Sequence, residues 1–191
     1  MNSQVRLFEQ LGCIVEEAEP DFADFDAVFK TMRALEFEAK LGDLVRQHRD
    51  QFKETIQWEV DRAAKLSLAD VARAEVQHAA IWMRFQNFLQ SYEYFILPVT
   101  QVPPFPIDQP FITEIEGVKM DNYIDWMKSC YYISAVGNPA ISVPCGFTEE
   151  GLPVGLQIVG RHRAELSVLR IAHAYEKVRG EPRKPAPPPH C

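Results

Sequence analysis

Glycine is scarce, at 9 of 191 residues, and never gathers into a run. No GxGxxG or Walker pattern appears, which excludes the common phosphate-cradling loops. Cysteine is limited to Cys13, Cys130, Cys145 and Cys191, with no CxxC pair. The histidines His48, His78, His162, His173 and His190 do not join them at metal-ligand spacing. No metal site and no other cofactor is therefore expected, and free thiols fit a reducing compartment. Positive charge is in deficit: 20 Lys and Arg face 27 Asp and Glu, a net charge of −7. With no basic stripe, neither a nucleic acid nor an anionic membrane is an expected partner. No apolar run approaches membrane-spanning length. The opening MNSQVRLFEQLG lacks an uninterrupted apolar core, so it reads as a short helix and not as a signal peptide. A soluble cytoplasmic protein is the expectation.

What is present suits a packed domain: 47% hydrophobic and 25% charged residues. Leu7, Phe8 and Leu11 share one face of an opening helix that Gly12 ends. Cys13-Ile14-Val15 reads as a short strand before Pro20. Phe25, Val28, Phe29, Met32, Leu35 and Ala39 fall at helical spacing, predicting a helix over about 24–41. Residues 43–66 are more polar and read as one or two further helices. Ser67-Leu68-Ala69-Asp70 has the form of a capping box with Asp in place of Glu. The stripe Val71, Ala74, His78, Ile81, Trp82, Phe85, Phe88 and Leu89 then predicts a long amphipathic helix ending near Tyr92, its aromatics in the core. Tyr94-Phe95-Ile96-Leu97 reads as a buried strand closed by Pro98.

Prolines 98, 103, 104, 106 and 110 punctuate the loop 98–118, where fixed φ and missing N–H groups work against regular ladders. Long loops of this kind often cover a site. A short helix is predicted over about 121–132. After the turn Gly137-Asn138-Pro139, the strands Ala140–Val143 and Leu156–Val159 form a hairpin through Thr148–Gly151. A last helix over about 165–178 turns Leu166, Leu169, Ala172 and Tyr175 inward. The proline-rich tail from Gly180 to 191 is expected to be disordered. Helices mixed with short apolar strands place the chain in the α/β class.

The most specific stretch is GNPAISVPCGFTEEGLPVGLQIVG, from Gly137 to Gly160. It resembles the C-terminal block of the amidase-signature family: a G-x-P-A turn (Gly137, Pro139, Ala140), a V-P-x-G exit (Val143, Pro144, Gly146) and a G-L-P-x-G-x-Q-x-x-G return (Gly151 to Gly160). Glu93 to Pro98 is similar to the family's D-x-L-L-x-P unit, and Phe8 to Val15 with Pro20 to its L-x-x-x-G-x-x-V … P unit. The resemblance runs from about residue 8 to 178. Departures are Ser134 where Asn is common, Glu93 for Asp, Phe95-Ile96 for Leu-Leu and Phe8 for Leu. It implies a partial amidase-signature fold over 1–179, a mixed β-sheet flanked by helices.

The resemblance also implies amide hydrolysis by a nucleophilic serine, with a second serine on a cis peptide relaying protons to a lysine. A serine hydroxyl needs such activation, and a lysine becomes a base only with a lowered pKa. Those parts sit on a Gly/Ser-rich segment that this sequence does not contain. Ser3, Ser67, Ser91, Ser129, Ser134, Ser142 and Ser167 all lie outside any glycine-rich loop. No catalytic role transfers, and this chain alone is expected to be inactive. What the resemblance implies for it is the sheet behind the site and part of the acyl-pocket wall. Thr100, Val102, Phe105 and Trp126 are the candidate substrate-binding residues.

Sharper readings compete with plainer ones. Cys145 beside His162 or His173 invites a thiol nucleophile, but a packed strand-end cysteine is far commoner. Ser142 reads as a strand hydroxyl bonded to nearby backbone, His78 as core packing, and Gln157 as a cross-sheet bond. Glu16-Glu17, Glu19 with Asp21, and Glu149-Glu150 read as solvated turns. Three functions stay open: part of an amidase-family hydrolase acting on C–N bonds, with a small-molecule amide substrate only when an N-terminal half completes it; a non-catalytic remnant that self-associates or binds a partner; and the C-terminal part of an amidotransferase subunit.

Overall fold

The computed structural model describes residues 2–180, so the tail beyond Gly180 lies outside the described residues. The elements run α1 (Asn2–Gln10), α2 (Phe25–Gln47), α3 (Glu54–Ala63), α4 (Leu68–Ser91), β1 (Tyr94–Pro98), β2 (Glu114–Ile115), β3 (Val118–Lys119), α5 (Lys128–Val136), β4 (Ala140–Phe147), β5 (Pro153–Gly160) and α6 (Glu165–Arg179). Short 3-10 turns occupy Arg49–Gln51 and Asp125–Met127. The chain divides into two compact units. One joins the residues up to Pro20 with those from Gln86 onward; the other is Asp21–Phe85.

The first unit is built on the expected hairpin. β4 and β5 pair antiparallel, Val143 opposite Leu156 and Ile141 opposite Ile158, with a bulge between Pro144 and Gly146. β1 pairs antiparallel with the other side of β5, giving the order β1-β5-β4. Every strand pair among the described residues is antiparallel, so the parallel pairs that a mixed sheet needs are not among them. Period-2 alternation puts Val143, Leu156 and Ile158 on one face, where they bury with Phe8, Ala172 and Tyr175. The Phe8 and Tyr175 rings stack with centroids 5.0 Å apart.

Local signals explain the element ends. The Ser67 amide donates to Asp70 Oδ2 at 3.0 Å, and the Asp70 amide to Ser67 Oγ at 3.2 Å. This is the reciprocal capping box, working with Asp one methylene shorter than Glu. Gly137 ends α5 at φ 64, its amide on the Ile133 carbonyl, a left-handed geometry that favours glycine. Arg161, just after β5, donates from Nε to the Leu89 carbonyl at 2.8 Å and so closes the last turn of α4.

Five expectations are corrected. Cys13–Val15 is not a strand; it packs Cys13 and Val15 on the core without a ladder partner among the described residues. Leu166 and Leu169 are exposed, and Val168 joins Ala172 and Tyr175 in the core instead. Trp82 lies at the surface end of its stripe, while Phe85 is fully buried. The prolines do not stop a two-residue ladder, β2 with β3, which turns at Glu116 (φ 48) and Gly117 (φ 81). The helix predicted over 121–132 begins at Lys128 and runs to Val136. Before it, the buried Asp125 carboxylate accepts the Asp121 amide and the Asn122 side chain, both at 3.0 Å, and holds a 3-10 turn.

Candidate functional site

The segment between β1 and α5 carries all four candidate residues. Thr100 Oγ1 donates to the Val102 carbonyl at 2.7 Å, closing a local turn at the start of the proline-rich stretch. Phe105 and Trp126, separated by the loop and the β2–β3 hairpin, meet edge-to-face with centroids 5.2 Å apart and planes at 86°. Such pairs add about 0.5–1.5 kcal/mol beyond area burial. The structure therefore forms two pairs, Thr100 with Val102 and Phe105 with Trp126. All four side chains are half-buried, and Ile107 between them is fully exposed.

The ends of the segment are fastened to the sheet and to α5. The Val99 amide donates to the Gly155 carbonyl at 3.2 Å. Ser129 Oγ donates to the Val99 carbonyl at 2.9 Å, and the Cys130 thiol donates to the same oxygen at 2.7 Å. The Lys128 amide donates to Gln101 Oε1 at 2.8 Å. From β5, Gln157 Nε2 donates to the Ser129 carbonyl at 3.0 Å. Gln157 thus reaches a helix and not, as expected, another strand. Its polarity between Leu156 and Ile158 was the visible signal; nothing local marked Ser129 as its partner.

The buried GNP turn is held in the same way. Asn138 Nδ2 donates to the Gly160 carbonyl at 2.9 Å, and Gln86 Nε2 donates to Asn138 Oδ1 at 2.7 Å. The Gly160 amide returns to the Pro139 carbonyl at 2.9 Å.

No nucleophile is assembled among the described residues. Cys145 packs against the apolar core, and burial pushes its thiol above the usual value, away from the reactive thiolate. Burial does the same to Cys130. Burial, then the charge of Glu93, raises Cys13. Ser142 is exposed, so water is available to its hydroxyl. His78 is half-buried on α4, while His162 and His173 are exposed. Among the described residues no cluster of His, Cys, Asp and Glu is arranged to hold a metal. No helix among them is long and apolar enough to cross a membrane.

An antiparallel GNPA–GLPVG hairpin, backed by helices and fronted by a clamped proline-rich segment, defines an α/β scaffold of the amidase-signature kind. The pattern of the Amidase family matches residues 4–169, and the chain belongs to that family. The acylamidase of Rhodococcus erythropolis is 32% identical over 178 residues, covering 90% of this chain and 36% of that protein. The A chain of the glutamyl-tRNA(Gln) amidotransferase of Brevibacillus brevis is 35% identical over 173 residues, 86% of this chain and 33% of that one. A solved bacterial aryl acylamidase of the amidase-signature family shares the fold with a TM-score of 0.81 at 21% identity, over 93% of this chain and 39% of that one. The chain spans about a third of the length of the curated relatives it matches.

Proposed function

We propose that this chain supplies the C-terminal scaffold and one wall of the acyl pocket in a hydrolase acting on C–N bonds of small amides. The nucleophilic serine and its base come from residues other than these. The observation that carries the reading is the clamped segment 99–128, which presents Phe105 and Trp126 as an aromatic pair beside the Thr100–Val102 turn. A rigid apolar surface of this kind suits the acyl side of an amide, because it orients the substrate and keeps water away. A cytoplasmic location goes with the free thiols Cys13, Cys130 and Cys145.

On this reading the chain alone does not turn over amides. Incubating the purified chain with a panel of simple amides and esters tests it. Turnover that is lost on changing one of the chain's own residues would overturn it.

A second reading is favoured by the sheet order, which leaves one side of β1 and one side of β4 without a strand neighbour among the described residues. Unpaired strand edges recruit partners. Self-association, or docking into a larger amidotransferase assembly, follows from that. Sedimentation of the purified chain tests it; a monomer at every concentration counts against self-association.

A further inference from the structure

Gln157 is a costly residue for its position. It sits in the middle of β5, with Leu97 of β1 on one side and Ser142 of β4 on the other. A β-branched or aromatic residue suits such a position better, and an amide without a partner there is destabilising. The sheet does not use the side chain. It crosses to the Ser129 carbonyl in the first turn of α5, where a carbonyl has a second lone pair to offer.

That bond closes a circuit. Ser129 Oγ and the Cys130 thiol hold the Val99 carbonyl, and the Val99 amide holds the Gly155 carbonyl, two residues from Gln157 on the same strand. Gly155 belongs to the circuit by having no side chain. A Cβ there would lie 2.9 Å from Val99 Cγ2 and 3.2 Å from Ser142 Oγ. The first residue of the segment, Val99, and the turn of helix that follows its last aromatic, Trp126, are thus tied to one short piece of β5. Closing a loop of this length carries an entropic cost, which this clamp offsets at one place.

We infer that Gln157 is a positioning residue for the acyl-pocket wall: its amide sets where Trp126 meets Phe105. The inference rests on the reading of residues 99–128 as that wall. Gln157 touches no reacting atom and acts through Ser129.

The test uses the full chain labelled with 5-fluorotryptophan, which reports Trp58, Trp82 and Trp126 as separate resonances. Gln157→Glu keeps the shape and removes the donor; Gln157→Leu suits the strand and also removes it. In either variant the Trp126 resonance should shift or broaden while Trp58 and Trp82 stay in place. The Val99 and Lys128 amides should exchange about tenfold faster, the scale of one lost hydrogen bond, with the melting temperature of Gln157→Leu little changed. Unchanged Trp126 and unchanged exchange in Gln157→Leu would overturn the proposal, as would equal movement of all three resonances. The wall itself is judged by titrating the unaltered labelled chain with acetanilide. A silent Trp126 in that titration counts against the wall and leaves the Gln157 result standing.

Discussion

The two compact units are stabilised by different physics. The sheet unit rests on apolar packing: Leu156, Ile158 and Tyr175 are fully buried, and no charged side chain is among its central cluster. The helical unit, Asp21–Phe85, buries Phe25, Val45, Ile81 and Phe85, but it also buries Glu59 completely. Arg33 Nε donates to Glu59 Oε1 at 2.8 Å, and Arg62 donates to Glu59 Oε2 at 2.8 Å and to the Lys30 carbonyl. The Arg33 guanidinium lies 4.7 Å from the Phe37 ring centroid, and that of Arg62 lies 5.0 Å from the Trp58 centroid. Apolar packing fixes shape by volume. A buried ion triad fixes it by direction, since each carboxylate oxygen meets one guanidinium. Desolvation opposes the triad, so its contribution is to register more than to net stability.

The largest effects come from breaking each unit in its own way. Leu156→Ala leaves a cavity at a fully buried site and should cost about 3–4 kcal/mol, read by urea denaturation with Trp126 as the reporter. Glu59→Ala leaves two arginines without their buried partner and should cost about 3 kcal/mol, read through Trp58. Replacing the triad together, as Arg33→Met, Glu59→Leu and Arg62→Met, should restore most of that loss. If the triple change is worse than Glu59→Ala alone, the triad is a net stabiliser and the contrast between the units disappears.

Gly160→Ala sharpens the packing side. A Cβ there would lie 2.4 Å from Val168 Cγ2, so α6 must shift. A cost of about 2 kcal/mol is expected. Adding Val168→Ala should recover part of it, and additivity of the two changes would show that they do not meet.

Two smaller effects depend on pH. Burial, then the nearby Cys145, pushes the Tyr175 phenol up to about 12. Its stabilisation is complete below pH 10, the unfolded value, and is lost as pH rises from 10 towards 12. Tyr175→Phe should flatten that decline, at the expense of the 2.6 Å bond to Gln4 Oε1. In the capping box, the Ser67 hydroxyl and amide hold Asp70 below its usual 3.8. Its contribution is full above that value and fades as pH falls through the lower folded value. Ser67→Ala should remove this acid-side dependence; an unchanged acid limb in helix-sensitive circular dichroism counts against it.

Much of the scaffold was legible. The capping box at Ser67–Asp70, the glycine end at Gly137 and the hairpin through Thr148–Gly151 follow from spacings of two to four residues. The site was less so. Thr100, Val102 and Phe105 lie close together in one loop, but the contact of Phe105 with Trp126 depends on how the intervening hairpin folds back. Leu166 and Leu169 fit an inward helical stripe as well as Val168 does, because an apolar helix with several alternatives does not declare its buried face. Cys13–Val15 has strand composition and no strand beside it.

By itself, then, the sequence determined the elements and the family, since caps, turns and hydrophobic periods act over a few residues and are written in order along the chain. The tertiary structure alone decided that Gln157 answers Ser129 across 28 positions and that Arg33 and Arg62 converge on Glu59. The physical reason is that burial and partnership belong to residues brought together by packing, and no local pattern records which distant group will be there.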